Sequence, residues 1–186
     1  VQLIGVSGVQ GIGKSTLCKR LVSRLETLGL RAVTISLDDF YLTHEGQLKL
    51  RREFPNNLYL EWRGYPGTHD LTLAHRVLDS FLNARAGEDV KVPAYDKSAF
   101  DGEGDRVVET QWPIVKGSVD YILLEGWMLG FESVPLSETP SEFMQVNIFL
   151  ERYHSLWEKI DRFILLDAPR TDLALNWRKE AELKRI

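Results

Sequence analysis

Eight consecutive residues, Gly8-Val9-Gln10-Gly11-Ile12-Gly13-Lys14-Ser15, fit the pattern G-x-x-x-x-G-K-[ST] at every fixed position. Each type suits a nucleoside triphosphate. Gly8, Gly11 and Gly13 let the backbone curl around an anion, and a following helix presents its positive end to the same phosphates. Lys14 is a mobile point charge able to follow a terminal phosphoryl group. The Ser15 hydroxyl suits Mg²⁺, and Thr16 adds a second hydroxyl at the helix start. The expectation is an ATP and Mg²⁺ site. A chance glycine-rich turn would not sit between an apolar strand and an amphipathic helix.

The type of reaction has to come from other residues. Asp38 and Asp39 close a second apolar run, and Glu125 closes a third. Carboxylates at strand ends can take a proton from an attacking hydroxyl or hold a metal through water. Asp38 is the expected base, with Asp38 and Glu125 beside Ser15 as candidate metal ligands. For Asp39 a functional carboxylate and a plainer role, as a turn cap or an arginine partner, are read equally well. Glu125 lacks the adjacent Asp common in hydrolytic motors.

Two loops, Arg63 to Asp70 and Pro93 to Arg106, mix cations with turn residues. Arg63, Lys97 and Arg106 can pair with an acidic acceptor, or can stabilise their own loops. His69 and Asp70 are further acceptor-side candidates, with a structural histidine and a helix cap as the plainer readings. Arg170, Arg178 and Lys179 surround the last helix and can close over phosphates, or simply keep an exposed helix soluble. Cys18, beside the leucines of the first helix, reads as buried rather than reactive.

The elements that must position these residues alternate. Apolar runs at 1–6, 32–37, 121–124 and 162–166 read as buried strands. Helical spacing marks Lys14 to Leu28, a helix from Leu71 to Leu82 capped by Asp70 or Thr68, Phe143 to Ile160, and Thr171 to Lys184. The stretch 41–70 reads as loop with one short helix near Gln47 to Phe54, and 91–113 as irregular. Strands without polar alternation, separated by helices, imply an α/β fold: three layers around a mostly parallel, doubly wound sheet. The long loops follow strand ends, where such sheets place ligands.

The chain has 186 residues, 44% hydrophobic and 27% charged, which suits one globular domain over 1–186. Its net charge of −4 offers no basic surplus for nucleic acid or a membrane surface. The single cysteine excludes an internal disulfide, so a cytoplasmic or organellar-matrix setting is expected. Both ends read as cuts in a longer protein. Without an Asn-Lys-x-Asp segment a guanine-specific switch is excluded.

The phosphate loop joins Ser36-Leu37-Asp38-Asp39-Phe40-Tyr41-Leu42-Thr43, Pro66-Gly67-Thr68-His69-Asp70, Tyr95-Asp96-Lys97-Ser98 with Gly104-Asp105-Arg106, and Glu125-Gly126-Trp127-Met128-Leu129-Gly130-Phe131. Together these segments resemble the D-glycerate 3-kinase family, within the phosphoribulokinase, uridine kinase and pantothenate kinase group of P-loop kinases. The resemblance runs from the first strand to Asn176-Trp177-Arg178. It implies ATP- and Mg²⁺-dependent phosphorylation of a small hydroxylated metabolite, with D-glycerate to 3-phosphoglycerate as the leading case. Asp38 maps to the catalytic base and Glu125 to the acid that orders Mg²⁺. Arg178 is expected on the nucleotide, and Asp39, Tyr41, Arg63, His69, Asp70, Tyr95, Lys97 and Arg106 around the acceptor. The competing expectations are another acceptor (nucleoside, pantothenate-like compound or sugar) or an ATP-binding protein without turnover.

Overall fold

The structure is a computed structural model that describes residues 1–84, 88–168 and 170. In chain order the elements are β1 (Gln2–Gly8), α1 (Lys14–Thr27), β2 (Ala32–Ser36), α2 (His44–Glu53), α3 (Leu58–Glu61), α4 (Leu71–Leu82), β3 (Val90–Lys91), β4 (Tyr95–Asp96), β5 (Asp105–Arg106), β6 (Ile114–Val115), β7 (Tyr121–Gly126), α5 (Met144–Glu151), α6 (His154–Trp157) and β8 (Arg162–Leu166). The expected helix Thr171 to Lys184, with Arg178 and Lys179, lies outside the described residues. By packing, the chain divides into two compact units: Val1–Ser36, Val119–Gly130 and Lys159–Ile186 in one, Leu37–Ser118 and Phe131–Glu158 in the other.

The first unit holds a four-stranded sheet in the order β2-β7-β1-β8, with every pairing parallel. All four expected strands are present. β2 stops at Ser36, one residue short of the apolar run, because Leu37–Phe40 turns into a 3₁₀ helix. β7 lies between β1 and β2, so the strand following the phosphate loop skips a place. Glu125 is consequently in register with both Val6 and Ser36, which brings three strand ends together. Such a crossover point is where open parallel sheets bind ligands. α1 covers the sheet through Cys18, Leu17, Leu21 and Val22, packed with Val6, Leu123, Ile4 and Ile164. Leu28, expected on that face, is the C-cap and is exposed.

The second unit is built on short elements. Thr43 starts α2 by accepting from Gly46 N at 3.2 Å, three residues before the expected helix. Asn57 caps α3, which the weak periodicity of that stretch did not announce. At α4 the cap is Asp70, whose carboxylate accepts from Leu73 N at 2.9 Å. Leu73, Ala74, Val77, Leu78 and Phe81 form its buried side. Within the irregular region, β3 pairs with β6 and β4 with β5 as short antiparallel ladders.

Phe143 to Ile160, expected as one helix, is two. Arg152 N and Tyr153 N bond to carbonyls three residues back rather than four, and the chain tightens between α5 and α6. Leu50, Leu60, Val146 and Phe149 make a core under α2, α3 and α5.

Candidate active site

The phosphate loop leaves β1 at Gly8 and enters α1 at Lys14. Gly8, Gly11 and Gly13 all have positive φ, at 154°, 82° and 102°. Gly8 is required twice over, since a Cβ there would lie 2.7 Å from the Leu166 carbonyl oxygen. Gly13 N-caps α1 with no side chain at the cap, and no acidic residue stands in the first turn. The helix end therefore stays positive and open.

Lys14 is buried, and its ammonium donates to the carbonyls of Gly8 at 2.7 Å and Val9 at 3.1 Å. A cation folded onto its own loop is placed to turn outward to a phosphoryl group. The exposed Ser15 donates through Oγ to Glu125 Oε1 at 3.1 Å. A hydroxyl and a carboxylate side by side are the hard oxygen ligands Mg²⁺ takes together with phosphates and water, so this pair fits the expected metal. Among the described residues no three His, Cys, Asp or Glu side chains cluster as a metal site. Cys18 lies beneath, fully buried. Desolvation, with Glu125 adding to it, pushes its thiol up to about 11, so it stays protonated and inert.

The second unit holds the residues expected around the acceptor. Phe40–Leu42 is pinned to Thr68–Asp70: Asp70 N donates to Phe40 O at 2.7 Å, Leu42 N to Thr68 O at 2.9 Å, and Tyr41 bridges His69. Asp38, with Asp39 beside it in the 3₁₀ turn, accepts from Lys97 Nζ at 2.6 Å and from the Tyr41 hydroxyl. Burial alone would raise the Asp38 pKa. The Lys97 ammonium, its hydrogen bond and that of Tyr41 outweigh burial and hold the carboxyl below its usual range. Asp38 is thus ionised at neutral pH. Tyr41 itself, buried and next to that carboxylate, is pushed well above the ordinary phenol range.

Lys97 owes its position to the β4–β5 hairpin. Asp96 accepts from Ser98 N at 2.9 Å and Ser98 Oγ at 2.6 Å, a local turn that projects the residue between them. Arg63 secures the same loop by donating to Gly102 O at 2.8 Å, to Glu103 O and to Lys97 O at 3.3 Å, with its guanidinium above the Tyr95 ring.

Arg106 donates to Asp70 Oδ2 at 3.1 Å and Tyr41 O at 2.7 Å, tying the helix cap to the Asp38 segment. Arg63 and Arg106 therefore carry internal partners, whereas half of the Lys97 side chain is exposed at 53%. His69 is 6% exposed; burial drives its pKa down to about 4 against the pull of Asp38, so the ring is neutral. It stacks on Tyr41, with centroids 4.5 Å apart, and bonds through Nδ1 to the Tyr153 hydroxyl at 2.8 Å. Tyr153 was invisible from the sequence, where it reads only as one more apolar-face residue of a helix. Arg178 lies outside the described residues.

A loop cradle for phosphates, a lysine inside it and a hydroxyl–carboxylate pair at the strand ends define a P-loop nucleotide-binding protein of the three-layer α/β/α class. No family model matches the chain. It is 41% identical over 97% of its length to the chloroplastic D-glycerate 3-kinase of Arabidopsis thaliana, and spans 41% of that protein. An uncharacterized kinase of Schizosaccharomyces pombe is 38% identical, with 97% of this chain and 69% of the relative covered. A solved D-glycerate 3-kinase from Cryptococcus neoformans superposes with a TM-score of 0.88 at 33% identity, covering 99% of this chain and 69% of that one. The chain belongs to the D-glycerate 3-kinase family of P-loop kinases.

Proposed function

We propose that the protein transfers the γ-phosphate of ATP to a hydroxyl of a small hydroxy acid, D-glycerate giving 3-phosphoglycerate. The observation that carries this reading is the 2.6 Å contact between Lys97 Nζ and Asp38 Oδ2. Phosphorylating a hydroxy acid needs a cation for the carboxylate and a base for the hydroxyl, and here they stand together. Family membership supports the same acceptor.

In this reading Lys97 moves from Asp38 to the acceptor carboxylate, which also returns basicity to Asp38. Asp38 takes the proton of the attacking hydroxyl as its oxygen bonds to the γ-phosphorus and the bond to ADP breaks. Lys14 follows the transferred group. Ser15 and Glu125 would hold Mg²⁺, which would supply charge neutralisation at the phosphates. Tyr41, Tyr95, Arg63, Arg106, His69 and Asp70 shape the acceptor side, the two arginines by fastening loops. Asp39 lies in the same turn, next to the base. The buried lone thiol suits a reducing compartment, the cytoplasm or an organellar matrix. No helix among the described residues is long and apolar enough to cross a membrane.

Coupled ADP detection over a panel of D-glycerate, nucleosides, sugars and pantothenate tests the reading. ADP should appear with ATP and Mg²⁺ only when D-glycerate is present. A response to a nucleoside and none to D-glycerate would overturn the acceptor. Steady acceptor-independent hydrolysis, or tight ATP binding without turnover, would overturn the kinase.

A further inference from the structure

A cavity of about 440 Å³ in the second unit is lined by Leu42, Gly67, His69, Thr72, Phe149 and Tyr153, among others. Its floor carries an arrangement that the proposed reaction has not used. Tyr153 is 1% exposed, and its hydroxyl oxygen accepts from Gly67 N at 3.0 Å. The same oxygen lies 2.8 Å from His69 Nδ1. A phenol has one hydrogen to give, and Nδ1 is the available acceptor for it.

Were Nδ1 to carry the ring hydrogen instead, both nitrogens would donate into Tyr153 and the phenol hydrogen would be buried without an acceptor. The network therefore selects the tautomer with Nδ1 bare and the hydrogen on Nε2. Among the described residues no hydrogen bond is made by Nε2, and it is not one of the fully buried polar atoms left without a partner: the ring is 6% exposed and lines the cavity. Tyr41, stacked on this ring, is hydrogen-bonded to Asp38. The imidazole and the proposed base are thus neighbours through one side chain.

We propose that Tyr153 is a positioning residue for acceptor binding: its hydroxyl donates to His69 Nδ1 and so holds a hydrogen on Nε2, which donates to an oxygen of the acceptor. The chemical class this site takes is an oxygen-rich small acid or alcohol, because Nε2 can only donate. The inference rests on the kinase reading of the same site. A neutral donor recognises an oxygen without adding a second positive charge near Asp38, which would weaken the base.

The test is ¹⁵N NMR of the imidazole in the full chain, with acceptor kinetics on Tyr153→Phe. The wild-type protein should show His69 bare at Nδ1 and protonated at Nε2, and D-glycerate alone should move the Nε2 signal. Tyr153→Phe keeps the ring and its packing but should mix the tautomers. It should raise the KM for D-glycerate about fivefold to tenfold, with the KM for ATP unchanged. His69→Gln, which keeps an amide donor near the Nε2 position, should retain more acceptor affinity than His69→Leu.

Wild-type His69 protonated at Nδ1, or a folded Tyr153→Phe with an unchanged acceptor KM, would overturn the proposal. If the panel returns an acceptor other than D-glycerate, only the acceptor assignment fails, and the NMR titration is decided with that compound. A panel without any acceptor overturns both.

Discussion

At the scale of single residues, the proposed function assigns nucleotide binding and chemistry to different side chains, Lys14 in the loop and Asp38 on the acceptor side. Lys14→Ala should weaken ATP binding and turnover together. Asp38→Asn should leave ATP affinity nearly intact and lower kcat roughly 10²-fold or more, as for loss of a general base. Isothermal titration with a non-hydrolysable ATP analogue, beside steady-state rates, checks both; near-normal kcat in Asp38→Asn would move the base elsewhere.

His69 also gives a pH dependence of stability. Its folded pKa of about 4 lies below the ordinary 6.5, so the unfolded chain binds the proton more readily. The contribution is complete above about 6.5 and is lost as pH falls towards 4, up to about 3 kcal/mol. Urea midpoints measured across that window should fall with pH, and His69→Gln should flatten the slope.

Elements explain which of the cations is exposed. Arg63, Lys97 and Arg106 are equivalent on paper, three positive charges in two loops. The β4–β5 hairpin separates them, because its closure draws Arg63 onto the Gly102 and Glu103 carbonyls and Arg106 onto Asp70 and Tyr41. Gly104 is the close approach in that hairpin: φ is 84°, and a Cβ would lie 2.6 Å from Tyr95 Cε1 and 2.8 Å from Arg63 Nη1. Gly104→Ala should displace the Lys97 loop, raising the acceptor KM several-fold while the ATP KM holds, at a stability cost of about 1–3 kcal/mol. Thermal denaturation and a KM comparison for the two substrates read this out. An equal rise in both constants would show damage beyond the hairpin. The short strands here evaded sequence reading because two-residue ladders have no period to detect.

For the whole molecule, the phosphate loop, Ser15 and Glu125 belong to one compact unit, and Asp38, Lys97 and His69 to the other. If Ser15 and Glu125 hold the ion as proposed, ATP with Mg²⁺ should raise the melting temperature by mass action, and chelation should remove most of that rise. A rise unaffected by chelation would separate Glu125 from the metal. Differential scanning fluorimetry across nucleotide concentrations measures it.

The sequence by itself determined the parallel sheet, the phosphate loop, Glu125 at the end of β7, and the buried Cys18; Asp38 it put at a strand end, and the structure places it two residues further on, in a 3₁₀ turn. Each of these is written in contiguous residues, as an apolar run, a fixed spacing or a helical face. The tertiary structure alone decided the rest: that β7 comes to lie between β1 and β2, that Lys97 is the exposed cation of three, and that Tyr153 reaches His69 across 84 positions of chain. Those contacts depend on where a turn tightens or a hairpin closes, and no local pattern encodes a pairing between residues that meet only after the core has formed.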